Sequence, residues 1–354
     1  MSSSRKVLLV VLLVLVAVLV VSRRHDRLVA PVQGQVTRTA AGPGGLYWIE
    51  RKADGSQAAL WRATGLGRPG EQLATAPDIR DLAVAEREVY FLTEEGGPGS
   101  GRLARVGAGG APQVLADGLK APQGLLVTTD SVYWAETRPA AVPGIACVPV
   151  LQPLSLIYAA DRALQSRRLL VVAENAETHF GGKLLGERDG QLYWVQQFGQ
   201  QYNRAVTTVS RLPVQGGDPE ELVRVLGSQD AALGRSVLYW TAPSEERMPP
   251  ESARTVYRRA LAGGEPEKLT DWMALRGVLL VLGDRPLYCD DRVVWRVPDH
   301  LAEPVPLASL RVEPATVSMA HGTLYGYRMD EKLRHVVRCP LTLAARLRGL
   351  LRLI

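Results

Sequence analysis

Leu238-Tyr239-Trp240-Thr241, followed by Val256-Tyr257-Arg258-Arg259, Gly263-Gly264-Glu265-Pro266 and Lys268-Leu269, is the stretch from which the fold can be read. The first and second segments have the length and the β-branched and aromatic content of strands. Paired glycines supply the positive φ that a tight hairpin turn needs. Working outward, the first word recurs as Leu46-Tyr47-Trp48, Val89-Tyr90-Phe91, Val132-Tyr133-Trp134, Leu192-Tyr193-Trp194, Leu287-Tyr288-Cys289 and Leu324-Tyr325-Gly326. The steps between tyrosines are 43, 43, 60, 46, 49 and 37 residues. A four-stranded propeller blade takes about 40–50 residues. The 60-residue step marks an insertion in the third unit.

A further strand, a Gly-Gly turn and a last short strand follow the Tyr in the second, fourth and fifth units. They read Leu103-Ala104-Arg105-Val106, Gly109-Gly110 and Val114-Leu115-Ala116 in the second, and Val209-Ser210-Arg211-Leu212, Gly216-Gly217 and Glu221-Leu222-Val223 in the fourth. Ahead of the Tyr lies an apolar run such as Leu82-Ala83-Val84, Leu125-Leu126-Val127 or Val278-Leu279-Leu280-Val281. Each unit therefore reads as strands A, B (with the Tyr), C and D, with A innermost because it is apolar on both faces. No D strand follows Val337-Arg338-Cys339-Pro340, whereas residues 27–39 precede the first Tyr and can supply both that outer strand and the first A strand. Such pairing closes a ring and hides an open edge. The expectation is an all-β propeller over residues 28–340 with seven blades, or six if the 37-residue last step is not a blade. The Tyr and Trp rings are expected to pack between blades, and the recurring strand-C Arg to lie on a solvated face.

The Tyr-Trp word and the Gly-Gly-x-Pro turn resemble those of bacterial YWTD and TolB-like propellers. Tyr239-Trp240-Thr241 is the nearest match, with Ala242 in place of the family's Asp, which is missing after the other Tyr-aromatic pairs too. The resemblance implies a propeller over about residues 30–340 and, for most such families, macromolecular binding; some propellers of similar look are lyases or hydrolases.

The 354-residue chain carries a net charge of +6, and the excess sits at its ends. Setting aside Arg5, Lys6, Arg23, Arg24, Arg27, Arg346, Arg348, Arg352 and Asp26 leaves 34 Lys and Arg against 35 Asp and Glu. A balanced body excludes the clustered basic face that nucleic-acid binding requires. Residues 7–21 are all Val, Leu or Ala between basic flanks, a run of about 22 Å as a helix against a hydrocarbon core of about 30 Å that snorkelling cations can reach across. Residues 1–27 are read as an uncleaved membrane anchor rather than a signal peptide, since no small-x-small site directly follows Val21 and Pro31 would follow a cut after Ala30. The cation counts on the two sides of this run nearly tie, with a slight excess that puts the body in the cytoplasm. Exported propellers on similar anchors point to a periplasmic or extracellular body on an inner membrane instead. In residues 341–354, Leu343, Leu347, Leu350, Leu351 and Ile354 form one stripe with Arg348 and Arg352 away from it, which reads as a basic amphipathic helix for a membrane surface or for the underside of the propeller.

Loop variation on a rigid scaffold is where binding lies. The B-to-C connections are the long ones: residues 50–57, 93–101, 136–144, 196–204 and 241–254. The fourth combines amides, rings and a cation, so Gln197, Phe198, Gln201, Tyr202, Asn203 and Arg204 are the candidates for binding a protein or a cell-wall glycan. Carboxylates recur here as well; Glu50, Glu136 and Asp290 are candidates for holding Ca²⁺, with no bound cofactor as the default. No nucleophile elbow, phosphate-cradling loop or paired metal-binding His motif is present. Among the five histidines His179, near Glu174 and Glu177, is the one placed to act as a general base. Two functions follow: a membrane-anchored binding or scaffold module, or a propeller lyase or hydrolase using His179 and a funnel-bound metal. Cys147, Cys289 and Cys339 fit no zinc or redox spacing; buried thiols are expected, with a Cys289–Cys339 disulfide as the sharper alternative.

Overall fold

The computed structural model describes residues 27–341 apart from 98, 108, 143–149, 175–182, 199–205, 228–229, 245–253, 275–276, 310 and 330–333. The expected anchor (1–27) and amphipathic helix (341–354) lie outside the described residues except for Arg27 and Leu341. Among the described residues no helix is long and apolar enough to cross a membrane.

Seven four-stranded antiparallel sheets make a seven-bladed propeller. In chain order, β1 (Arg27–Pro31) comes first and blade 1 follows as β2 (Gln35–Gly42), β3 (Gly45–Arg51), β4 (Ala58–Arg62) and β5 (Glu71–Ala76). Blade 2 is β6 (Asp78–Ala85), β7 (Glu88–Glu94), β8 (Gly101–Val106) and β9 (Gln113–Leu119). Blade 3 is β10 (Pro122–Val127), β11 (Ser131–Val142), β12 (Val150–Asp161) and β13 (Arg168–Glu174). Blade 4 is β14 (Lys183–Arg188), β15 (Gln191–Phe198), β16 (Val206–Pro213) and β17 (Glu220–Leu226). Blade 5 is β18 (Ala231–Leu233), β19 (Val237–Pro243), β20 (Arg254–Ala260) and β21 (Glu267–Met273). Blade 6 is β22 (Gly277–Leu282), β23 (Arg285–Asp290), β24 (Val293–Arg296) and β25 (Val305–Ser309). Blade 7 is β26 (Ser318–Ala320), β27 (Thr323–Met329) and β28 (Arg334–Pro340), with β1 as its outer strand.

The last 37-residue step is thus a true blade, completed from the other end of the chain. Strand β1 pairs with β28 through Arg27↔Arg338, Leu28↔Val337, Ala30↔Val336 and Pro31↔His335. Val29 and Ala30 are buried on that pairing. The chain then turns at once into β2, whose Thr39 hydroxyl donates to the Thr316 carbonyl at 2.6 Å and so ties blade 1 back to blade 7.

The Tyr and Trp rings fill the gaps between blades. Tyr47, Tyr90, Tyr133, Tyr239 and Tyr288 and Trp48 and Trp134 are inaccessible to solvent. In blades 1, 3 and 5 the strand-B Trp stacks on its cross-strand partner in strand C: Trp48 on Trp61, Trp134 on Tyr158 and Trp240 on Tyr257, with centroids 6.3, 5.5 and 5.8 Å apart. In blades 2 and 4 the residue opposite Phe91 or Trp194 is Ala104 or Ser210. Large pairs and small partners thus alternate around blades 1 to 5, as close packing of wedge-shaped gaps requires.

The strand-C arginines are not merely solvated. Arg62, Arg211 and Arg258 each meet the carboxylate opposite on strand D (Glu71, Glu220 and Glu267), and Arg105 meets Gln113. The insertion in the third unit is a lengthened hairpin. Strands β11 and β12 pair continuously from Ser131↔Asp161 to Val142↔Val150. The expectation of a loop from Glu136 is therefore corrected. Pro139, which would stop a strand in a sheet interior, lies opposite Pro153, and these rungs, which pair with no outer strand among the described residues, need no donor there. Cys289 and Cys339 form no disulfide and are both buried in the cluster between blades 6 and 7, so the disulfide alternative is overturned. Cys147 lies outside the described residues.

Candidate functional site

The B-to-C and D-to-A connections share one end of the ring, and the polar side chains concentrate there under blades 4 and 5. In blade 4 Gln196, Thr207 and Thr208 are buried near the end of the β15–β16 hairpin. In blade 5 Thr241, Ser244, Arg254, Thr255, Thr270 and Asp271 are buried at the corresponding level. Asp271 accepts from the Thr255 hydroxyl at 2.8 Å and from Lys268 Nζ at 2.7 Å. Buried polar groups hold their place by such partners; the Ser244 and Thr270 hydroxyls have none among the described residues. The apolar faces of these blades continue below this level, so the site is a polar cap on a packed ring.

Of the candidates for the fourth loop, Gln197 is half-buried inside β15, opposite Thr207. Phe198 ends that strand opposite Val206. The loop therefore starts later than the sequence suggests, because Gln196 and Gln197 continue the ladder with the β-branched Thr207 and Thr208. Gln201, Tyr202, Asn203, Arg204 and His179 lie outside the described residues.

The three carboxylates read as metal candidates each sit in a different blade and each already serve protein donors. Glu50 Oε1 accepts the N–H groups of Gln33 and Gly34, holding the turn into β2. Glu136, fully buried, accepts Lys120 N–H at 3.0 Å, Trp134 Nε1–H at 3.1 Å and Arg167 Nη2 at 2.6 Å, while the Arg167 guanidinium lies 4.2 Å from the Tyr158 ring. Asp290 accepts Arg292 and Val293 N–H groups on one oxygen and Trp295 Nε1–H, at 2.7 Å, on the other. Among the described residues no three His, Cys, Asp or Glu side chains gather as a metal-binding set.

A network the sequence reading missed lies at the same end of blades 1 and 2. Arg51 meets Asp78, and Arg80 bridges Asp78 at 2.7 Å and Glu94. Each residue sits at a strand end, which the strand pattern marks as variable rather than special. The signal available was the opposite charge at matching places in successive units.

Set beside known folds, the chain is similar to several solved structures. The polysaccharide lyase Uly1 matches with a TM-score of 0.56 at 9% identity, over 89% of this chain and 91% of that one. The β-propeller domain of the Trilobed protease from Pyrococcus furiosus, which has an open velcro topology, matches with a TM-score of 0.51 at 11% identity, over 79% and 82%. A prolyl endopeptidase matches with a TM-score of 0.51 at 13% identity, and there the chain spans 52% of that protein's length. At these identities the likeness is one of fold. No protein-family model matches the chain, and no curated protein matches it in sequence.

Proposed function

We propose that this chain is a membrane-anchored binding module that holds a protein partner on the B-to-C end of its ring. The observation that carries this reading is the blade-3 hairpin. Strand β10 pairs with β11 no further than Glu136, and β13 pairs with β12 no further than Leu154. Among the described residues, the four rungs from Pro139↔Pro153 to Val142↔Val150 thus extend beyond the blade with no paired strand on either side. Their residues include Ala140, Ala141, Val142, Val150 and Leu151. An apolar two-stranded arm with two open edges is a template for strand addition or for cover by another macromolecule. The polar cap on blades 4 and 5 would add directional contacts beside it. The alternative, a lyase or hydrolase, requires His179 as base and a funnel metal; the engaged state of Glu50, Glu136 and Asp290 favours binding over that reading.

The anchor at residues 1–27 and a body on the exported side complete the proposal; the apolar run between basic flanks supports the first and analogy with exported propellers the second. The test is a photo-cross-linking residue at Ala140 of the full chain in native membranes. One discrete protein adduct is expected, absent when residues 140–152 are replaced by a Gly-containing turn that leaves the melting temperature unchanged. Complex formation that survives this replacement would refute the arm as the docking element.

A further inference from the structure

We infer that the opposite end of the ring, at the seam between blades 7 and 1, lies against an anionic lipid surface, with Leu66 and Arg68 as its contact residues. The inference rests on the anchor reading above and adds which face meets the bilayer.

Both ends of the described chain emerge at this place. Arg27 opens β1 opposite Arg338 near the end of β28, and the Leu341 N–H, one residue past β28, donates to Gly322 O in the A-to-B turn of blade 7 at 2.8 Å. The apolar run 7–21 is thus tethered to the seam end and not to the B-to-C end, as is the Arg-bearing segment 342–354. The C-to-D turn of blade 1 sits directly on the tethered strand, because Gly67 N–H donates to Val29 O at 2.9 Å. Leu66, in that turn, is 39% exposed, and Leu28, at the start of β1, is 40% exposed. Leu66 and Arg338 share the walls of a cleft of about 530 Å³, which Val29 and Leu46 make apolar at the back.

Charge points the same way. The turns at this end of blades 7 and 1 (42–45, 63–70 and 321–322) carry Arg68 and His321 and no carboxylate. Those of blades 4 to 6 carry Asp189, Asp218, Glu265, Asp284, Asp299 and Glu303, only partly offset by Arg188, Arg235 and Arg285. The seam turns thus present Leu66 and Arg68 with no carboxylate of their own, unlike the turns of blades 4 to 6, and suit lipid phosphates over an acyl layer.

The test uses the full chain, with Cys147 replaced by Ser, in nanodiscs of phosphatidylglycerol and phosphatidylcholine carrying a lipid-borne quencher. A fluorophore is placed at Leu66→Cys or, at the other end of blade 1, at Asp54→Cys. Quenching about twofold or more stronger at position 66, reduced by Arg68→Glu and in phosphatidylcholine alone, is the expected result for an interfacial contact. Equal quenching, or stronger quenching at position 54, with the chain held in the nanodisc overturns the face assignment and leaves the anchor standing. A chain that does not enter the nanodisc at all overturns the anchor and this inference with it.

Discussion

Asp230 Oδ2 accepts the backbone N–H of Leu279 at 2.8 Å, across the boundary between blades 5 and 6. Its other oxygen accepts the N–H of Ala231 at 2.9 Å, and Lys183 of blade 4 approaches to 3.3 Å. Three blades away the same device recurs: Asp81 accepts Leu125 N–H at 3.0 Å and Leu82 N–H at 2.9 Å, with Arg38 of blade 1 at 3.5 Å. Each carboxylate stands just before or within a strand A and spans three blades, cation to carboxylate to amide. These two clasps tie an inner strand to the blades on either side of it.

Replacing either clasp removes an acceptor from a backbone N–H that has nowhere else to turn. Asp81→Ala and Asp230→Ala are each expected to lower stability by about 1–3 kcal/mol. Asn should not rescue, because one of the two accepting oxygens becomes an NH₂ group facing an N–H. Urea unfolding of the single variants reads the effect directly. Midpoints that match the parent would show that the clasps are incidental to the ring.

Glu136 offers a sharper contrast. Its buried carboxylate receives a backbone N–H, an indole N–H and a guanidinium. Glu136→Ala leaves the Trp134 indole N–H without its acceptor and Arg167 over the Tyr158 ring with only water to turn to, a loss of about 2–3 kcal/mol for charge-assisted bonds to a buried carboxylate. Glu50→Ala, whose carboxylate serves two amides near the surface, should cost about 1 kcal/mol. The difference between the two melting shifts is the measurement, and equal shifts would contradict the burial argument.

Ring closure can be tested by truncation. Removing residues 1–26 leaves β1 on β28 and should leave the ring closed. Removing residues 1–31 strips the cover from Val336 and Val337 and exposes the β28 edge, which invites pairing between copies. The longer truncation should appear as dimers or aggregates on size-exclusion chromatography with rapid proteolysis of blade 7. A monodisperse, protease-resistant product would show that three strands suffice.

Much of this architecture was legible because each blade repeats one local pattern: an apolar strand A, a Tyr-aromatic strand B and a Gly-rich outer turn. The tie between residues 27–39 and the last blade followed from counting strands. What escaped the sequence depends on distant partners. Asp81 and Asp230 recur with a three-blade rather than a one-blade period, so a search at the blade spacing passes over them. Glu136 read as a metal candidate because its donors come from Lys120 and Arg167, 16 and 31 residues away. The blade-3 arm was hidden by Pro139, which stops a strand in a sheet but not in a hairpin without outer neighbours. Of the candidate site, Gln196 and Gln197 read as loop because polarity at a strand end looks the same whether it caps a blade or leaves it.

Rising pH should destabilise this ring. Burial pushes the Tyr133 hydroxyl up to about 12, assisted by its hydrogen bond to Glu187 of the next blade. Burial likewise pushes the Tyr239 hydroxyl, which donates to Asp284 O, up to about 12, and the Cys289 thiol up to about 12. In each case the folded protein keeps a proton that the unfolded chain has already lost. The stability these groups contribute is therefore complete below their ordinary values, 9.0 for the thiol and 10.0 for the phenols, and is lost as pH rises toward about 12. Urea midpoints should hold steady up to about pH 9 and then fall, with phenolate absorbance appearing in step with unfolding rather than ahead of it. Tyr133→Phe is expected to be less stable at neutral pH, for want of the bond to Glu187, but to lose less as pH rises. A parallel fall in parent and variant would show that blade 3 is not where the alkaline transition begins.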